Sequence, residues 1–200
     1  MAFLTQLQLH SLGFSSLGQN VQISEKASIY GAERISIGDH VRIDDFSILS
    51  AGKGGIRLGS FVHIACYSSL IGQEQIVMDD YSGLSARVAV YSSSDDYTGR
   101  AMTNPMVPNE FTRVDSRPVH LGRHCIVGAG AVILPGVTLG EGAAVGALAL
   151  VIKNCEPFGI YSGVPARLIH PRDRKLLELE VQHRLQLCGS LAPNRTMAPP

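Results

Sequence analysis

The stretch "VYSSSDDYTG" at residues 90–99 sets two carboxylates, Asp95 and Asp96, side by side behind three serines. Such a pair can hold an ammonium group, orient it, and accept or relay a proton. Ser and Asp are also ordinary turn formers, so the same residues could do no more than start a loop. A rival base is His63 in "FVHIAC", since an imidazole titrates near neutral pH. His40, His120 and His124 are weaker candidates for that role. The His residues and the four cysteines (Cys66, Cys125, Cys155, Cys188) lack metal-ligand spacing and contain no CxxC pair. No bound metal is expected.

These residues interrupt or border a regular rhythm. Aliphatic side chains recur every sixth residue: Ile37, Ile43, Leu49; Leu58, Ile64, Leu70; Met78, Leu84, Val90; then Leu121, Val127, Ile133, Leu139, Val145, Val151. A small residue usually follows, as in Ile37-Gly38, Leu58-Gly59, Val127-Gly128 and Val145-Gly146. Four positions on stands another small or β-branched residue: Val41, Val62, Ser68, Ala131, Val137, Ala143. A period of six fits neither a helix nor a plain hairpin strand. It fits a short strand and a turn, three of which make one triangular coil. Tight corners favour glycine and other small residues. His63 precedes the inward Ile64 and therefore points outward.

The rhythm is padded in three places. Leu49 and Leu58 are nine apart, which predicts a corner insertion around Lys53; Leu70 and Met78 are eight apart, which predicts a bulge at Gln73–Gln75. Between Val90 and Leu121 a long segment, about 92–118, leaves the coil, and loops of that length in compact domains usually carry function. Residues 1–20 lack the hexad and are expected to cap the first coil, with the solenoid over 21–170. "PRDRKLLELEVQHRLQL" at 171–187 reads as an amphipathic helix with Leu176, Leu177, Val181 and Leu185 along one side. It could close the open end of the stack. Residues 188–200 read as a disordered tail.

Composition narrows the function classes. The 200 residues hold 17 basic and 17 acidic side chains, so no polyanion-binding field is advertised and nucleic acid is not an expected partner. No stretch is apolar for long enough to cross a membrane, and the N-terminus lacks a basic signal-peptide start. Thiols without a pairing pattern suit a reduced, cytoplasmic setting.

Residues 20–170 resemble the hexapeptide-repeat sugar acyltransferases. The most specific pieces are "IVGAGAVILPGVTLGEGAAVGALALVIKN" at 126–154 and "YSGVPARLI" at 161–169. The resemblance implies an all-β left-handed parallel β-helix, a homotrimer, and an acyl-CoA donor, acetyl-CoA first among them. It also implies a site in the groove between two subunits near the extruded loop. On the same grounds Ala129 and Ala147 would meet the pantetheine arm. Lys153, Arg167 and Arg172 are cations available to the CoA phosphates, and a solvated surface charge is the alternative for each. Ser94, Tyr97, Asn104 and Arg113 in the loop could contact a nucleotide-linked sugar.

One departure sharpens the chemistry. Galactoside and maltose acetyltransferases, relatives within that superfamily, carry a histidine base at the start of the loop; here "YSSSDDY" stands in its place. A sugar hydroxyl must lose its proton as it attacks a thioester. An amine of pKa near ~8 is already about one-tenth neutral at pH 7. It needs positioning and a proton acceptor more than a strong base, which a carboxylate supplies. Similar sequences with a Ser-Ser-x-Asp-Asp-Tyr segment resemble acyltransferases of surface-polysaccharide clusters that act on nucleotide-linked sugars. The residues therefore point to N-acylation of an amino sugar through Asp95 and Asp96. Two alternatives stay open: O-acetylation of a sugar hydroxyl with His63 as base, and a non-catalytic β-helix scaffold.

Overall fold

The computed structural model describes residues 2–190. Its body is a three-walled parallel β-solenoid. The first wall stacks Ser16–Leu17, Ile35–Ile37, Ile56–Leu58, Ile76–Met78, Val119–Leu121 and Thr138–Leu139. The second stacks Gln22–Ile23, Arg42–Ile43, His63–Ile64, Gly83–Leu84, Ile126–Val127, Ala144–Val145 and Gly159–Ser162, and ends with the antiparallel Arg167–Pro171. The third stacks Ser28–Tyr30, Ile48–Ala51, Ser69–Gly72, Ala89–Tyr91, Val132–Ile133 and Leu150–Val151. The stack thus starts at Ser16, five residues before the expected boundary. Ahead of it lies α1 (Gln6–Ser11), started by a Thr5–Gln8 capping box, with Leu9 fully buried against the first coils.

The hexad is the core. Every sixth-residue aliphatic from Ile37 to Val151 is at most 4 % exposed, and so is each small residue four positions on. Burying one such Leu, Ile or Val stabilises by about 1.5–3 kcal/mol. Parallel pairing keeps like over like: Ile37 beside Leu58, Leu58 beside Met78, Met78 beside Leu121, Leu121 beside Leu139.

The residue after the aliphatic must be small because the next coil lies on it. A Cβ on Gly128 would stand 2.5 Å from the Ala147 nitrogen, and one on Gly38 2.7 Å from the Gly59 carbonyl carbon. Two residues further on, the backbone is left-handed, and here the expectation of small corner residues fails. His40, Phe61, Tyr81 and His124 have φ of 56°, 59°, 59° and 60°. Their rings stack in a column at centroid distances of 4.7, 4.7 and 5.1 Å. Ring stacking offsets the strain that a side chain brings to this conformation.

The helix α2 (Lys175–Ser190) packs on this column. Its seating differs from the amphipathic reading. Val181 and Leu185 are exposed, while Glu180 is buried. The Glu180 carboxylate accepts from His124 Nε2 at 2.6 Å, Arg123 Nη1 at 3.0 Å and Arg184 Nε at 2.7 Å. Tyr81 Oη lies 3.2 Å from His183 Nδ1. The helix therefore docks along a corner by a polar latch and does not close the end of the stack through leucines. Of the expected disordered tail, residues 191–200 lie outside the described part, and 188–190 continue the helix.

Burial alone would raise the Glu180 pKa, but hydrogen bonds from His124 and Arg184 and the Arg123 charge hold it below the ordinary glutamate value. A depressed folded-state pKa stabilises above the unfolded pKa and loses that effect as pH falls through the folded value. Glu180→Gln is expected to cost about 1–2 kcal/mol at pH 7, because the hydrogen bonds from His124, Arg123 and Arg184 lose their charged acceptor while both half-exposed guanidiniums keep Glu141 and Asp80. In thermal unfolding followed by circular dichroism, the gap between wild type and variant should close progressively below about pH 4.5.

Candidate functional site

The long insertion leaves where the third wall turns into the first. Ser92 is fully buried at its root and staples both arms. Its Oγ donates to the Glu74 carbonyl at 2.6 Å, and its own carbonyl accepts from Arg117 N at 3.0 Å. Ser93–Ser94 then pairs antiparallel with Asp115–Ser116. The segment is thus a rooted hairpin over the expected 92–118.

The two aspartates that follow this pairing part ways. Asp96 accepts four hydrogen bonds, from Thr98 N, Thr98 Oγ1, Arg100 N and Ala101 N, all between 2.7 and 2.9 Å. The Thr98 hydroxyl and amide, ahead of the other two amides, hold its pKa below the ordinary aspartate value. Asp96 is occupied in folding the loop. The Asp95 carboxylate is exposed and has no partner among the described residues. It lies where two cavities join. One, about 660 Å³, lies within the hairpin and is lined by Ser94, Asp95, Tyr97, Arg100 and Arg113 among others. The other, about 500 Å³, lies between hairpin and third wall, against Ile71, Gln73, Ser93, Asp95 and Asn104. Asn104 also holds its own turn, Oδ1 accepting from Met106 N at 2.8 Å.

His63 stands elsewhere. It points outward from the second wall as expected, with Nε2 2.9 Å from Asp44 Oδ2. Arg42 donates to the other oxygen of the same carboxylate at 2.7 Å. His120 is tied to Asp79 at 2.6 Å on the first wall, and His40 and His124 are in the ring column. Within one chain none of these imidazoles lines the two cavities beside Asp95.

Ala129 and Ala147 lie on the corner between the second and third walls, both exposed. Cys66, Ala86, Ala129 and Ala147 form one vertical file there, linked by Arg87 N to Cys66 O, Gly130 N to Ala86 O and Leu148 N to Ala129 O. The amides of Ala129 and Ala147 find no acceptor among the described residues. They are available to a chain of amide carbonyls such as pantetheine. Lys153, whose exposed side chain has no partner among the described residues, follows Leu150–Val151, the last strand of the third wall, at the edge opposite this file. Arg167 is exposed, with Nη1 on the Ala166 carbonyl. Arg172 ties coils together, its Nη1 donating to the carbonyls of His124 and Gly142 at 2.8 and 2.9 Å. Among the described residues no cluster of His, Cys, Asp or Glu could hold a metal ion.

The family described as "Bacterial transferase hexapeptide (six repeats)" matches residues 118–153. A dTDP-4-amino-4,6-dideoxy-D-glucose acyltransferase of Escherichia coli is 51% identical over 180 residues, 90% of this chain and 94% of that protein. The chain belongs to the hexapeptide-repeat acyltransferases. The crystal structure of AntD, an N-acyltransferase from Bacillus cereus in complex with dTDP and 3-hydroxybutyryl-CoA, superposes on this acyltransferase with a TM-score of 0.90. It is 44% identical, covering 93% of this chain and 98% of AntD. A maltose O-acetyltransferase from Clostridium difficile, at 18% identity and a TM-score of 0.57, shares the fold over 84% of this chain and 75% of its own.

The sequence of this acyltransferase singles out both aspartates but does not divide their labour. That division depends on which of them the backbone amides of 98–101 turn toward. Asp96→Ala is expected to leave the solenoid's melting unchanged and to speed amide hydrogen exchange across residues 97–101, measured by mass spectrometry. The depressed Asp96 pKa means that the same loosening should appear in wild type only as pH falls through the folded value, below the ordinary carboxylate range.

Proposed function

We propose that this acyltransferase moves an acyl group from a CoA thioester, acetyl-CoA first among candidates, to the amino group of a nucleotide-linked amino sugar. The amino sugar would be destined for a surface polysaccharide. The observation that carries this reading is the unpartnered Asp95 carboxylate at the junction of two cavities. The E. coli relative is named for dTDP-4-amino-4,6-dideoxy-D-glucose, and a serine variant of AntD has been crystallised with that sugar nucleotide and coenzyme A. Other AntD crystals carry substitutions of one aspartate or of a serine ten positions before it. Here Ser85 precedes Asp95 by the same interval.

In the reaction the amine nitrogen bonds to the thioester carbonyl carbon and the carbon–sulfur bond breaks. The proton shed by nitrogen passes to Asp95 and from there to the departing CoA thiolate. Asp95 also holds the amine in place before attack, which replaces an entropic cost with binding. Asp96 positions the loop that carries it. A hydroxyl acceptor with His63 as base is less well supported, since His63 faces Asp44 on another wall.

The acting form in this reading is a homotrimer. The outward side of the third wall is apolar, with Tyr30, Ile48, Ile71, Tyr91, Leu134 and Ile152 along it. Asp95 borders that wall on one side and the Ala129–Ala147 file on the other. Third walls turned toward a common threefold axis would bring one chain's Asp95 to the next chain's file. Both substrates are multiply phosphorylated and do not cross a bilayer unaided, which favours a cytoplasmic reaction. No described helix is long and apolar enough to span a membrane.

The test is thiol release from acetyl-CoA and 3-hydroxybutyryl-CoA with dTDP-4-amino-4,6-dideoxyglucose as acceptor, with the 4-hydroxy sugar nucleotide as control. Turnover confined to the amino sugar is expected. Asp95→Asn should lower kcat about 100-fold with little change in the KM for the thioester. His63→Ala should leave turnover intact; loss of activity there with a working Asp95→Asn enzyme would transfer the assignment to the O-acyl mechanism.

A further inference from the structure

Two corner insertions, residues 52–55 and 72–75, pad the two coils before the one that extrudes the hairpin. The reaction derived above does not use them, yet hydrogen bonds to their backbone tie them to the hairpin's roots. Arg34 holds the lower insertion, its guanidinium donating to the Ala51 and Gly52 carbonyls at 2.9 Å. The lower insertion in turn holds the upper one. Gly52 N donates to Gly72 O at 2.9 Å, and Gly54 N to Gln73 O at 2.8 Å. The upper insertion then takes both arms of the hairpin. The Glu74 carbonyl accepts from Ser92 Oγ at 2.6 Å where the chain leaves, and the Gln75 carbonyl accepts from Val119 N at 2.9 Å where it returns. These layers leave no slack. A Cβ on Gly54 would stand 2.2 Å from the Gln75 nitrogen, one on Gly52 2.4 Å from the Gly72 oxygen, and one on Gly72 2.1 Å from Ser92 Oγ. A side chain at any of these glycines would displace the layer above it.

We propose that this stack is a pedestal for Asp95 and that Ser92 is a positioning residue of the transfer reaction. The assignment rests on the amino-sugar reading above, which makes Asp95 the group that meets the amine. The Asp95 carboxylate is exposed and has no partner among the described residues. Its place therefore depends on the backbone that carries it. Ser93–Ser94, paired with Asp115–Ser116, stiffens that backbone between Ser92 and Asp95. A displacement at the root is passed on to the carboxylate three residues away. A misplacement of about 1 Å can cost about 100-fold in rate. Neither Ser92 nor Gly54 lines the two cavities beside Asp95, so each acts on turnover through the hairpin.

The test is a double-mutant cycle with Asp95→Asn. The readout is thiol release from acetyl-CoA or 3-hydroxybutyryl-CoA with dTDP-4-amino-4,6-dideoxyglucose as acceptor. Ser92→Ala removes one tie at the root. Gly54→Ala displaces the upper insertion from a point remote from both cavities, and carries the cycle alone if Ser92→Ala does not fold. In protein whose solenoid is intact by circular dichroism, each is expected to lower kcat about tenfold, with both KM values as in wild type. In the Asp95→Asn background neither should lower kcat further, because a misplaced carboxylate and a missing one impair the same step. Full multiplicative losses in that background would overturn the proposal by giving the pedestal a merely structural part. Losses confined to KM would overturn it too, by making the insertions walls of a binding site. A wild type that turns over the amino sugar and is slowed by Asp95→Asn, but not by Gly54→Ala or Ser92→Ala, refutes the pedestal alone. Absence of turnover in wild type, or an undiminished rate in Asp95→Asn, would remove the reading on which the pedestal rests, and the pedestal with it.

Discussion

Each coil of this protein lies directly on the next through in-register backbone hydrogen bonds, and everything else accommodates that. Leu121 must come down beside Leu139, and Met78 beside Leu121, or the hexad aliphatics leave the core. The walls therefore admit no extra residue. Surplus chain has to exit at a corner, and in this molecule it exits at the corner from third wall to first. Gly52–Gly55, Gly72–Gln75 and the hairpin of 92–118 all emerge there, on three consecutive coils. In the following coil the same corner is unpadded, Ile133 and Leu139 being six residues apart. A flat-walled prism has few concavities, and stacked insertions make one. The trough beside Asp95 is thus a consequence of where register allows the chain to be interrupted.

The other two corners meet the same constraint differently. Both place a left-handed residue in nearly every coil. The corner between first and second walls fills it with His40, Phe61, Tyr81 and His124, and their stacked rings give α2 a surface to dock on. The corner between second and third walls carries Phe46 and Tyr67 low in the stack, then Arg87, Gly130 and Leu148. Beside it runs the file of Ala86, Ala129 and Ala147, small enough to leave backbone amides uncovered. One repeat thus yields three unlike edges: one that anchors a helix, one that exposes amides, and one that extrudes chain.

Core and walls were legible in the sequence because a period of six is a geometric statement: fifteen aliphatic positions marked fifteen buried side chains. The padding was legible too, since a broken period marks its own site. Three things were not. The apolar stripe of Leu176, Leu177, Val181 and Leu185 suggested how α2 would sit, yet the corner of the aromatic column offered Glu180 two donors, His124 and Arg123, beside Arg184 of the helix itself, and won the helix by its polar side. Stacking made large rings suitable where local sterics favour glycine, an effect visible only once coils are superimposed. The separate roles of Asp95 and Asp96 arise from amide directions in a turn, which residue types do not encode.

That separation bears on the choice of nucleophile. A lone carboxylate is a weak base: between an ordinary aspartic acid and a sugar hydroxyl lie many pKa units, and one positioned oxygen cannot bridge them. Between a carboxylate and an ammonium the charge relation is favourable from the start, and the neutral amine is within about 1.4 kcal/mol at pH 7 for a pKa near 8. What the amine requires is to be held at the thioester, and then to lose a proton once the new bond has made it acidic. Asp95 can do both if its oxygens are not already spent, and Asp96 is what spares them. By taking up the hydroxyl and three amides of residues 98–101, Asp96 leaves its neighbour's charge free at the trough. In the proposed reaction the adjacent pair of acids near the loop root is therefore not redundancy: Asp96 folds the loop, and Asp95 is left to meet the ammonium.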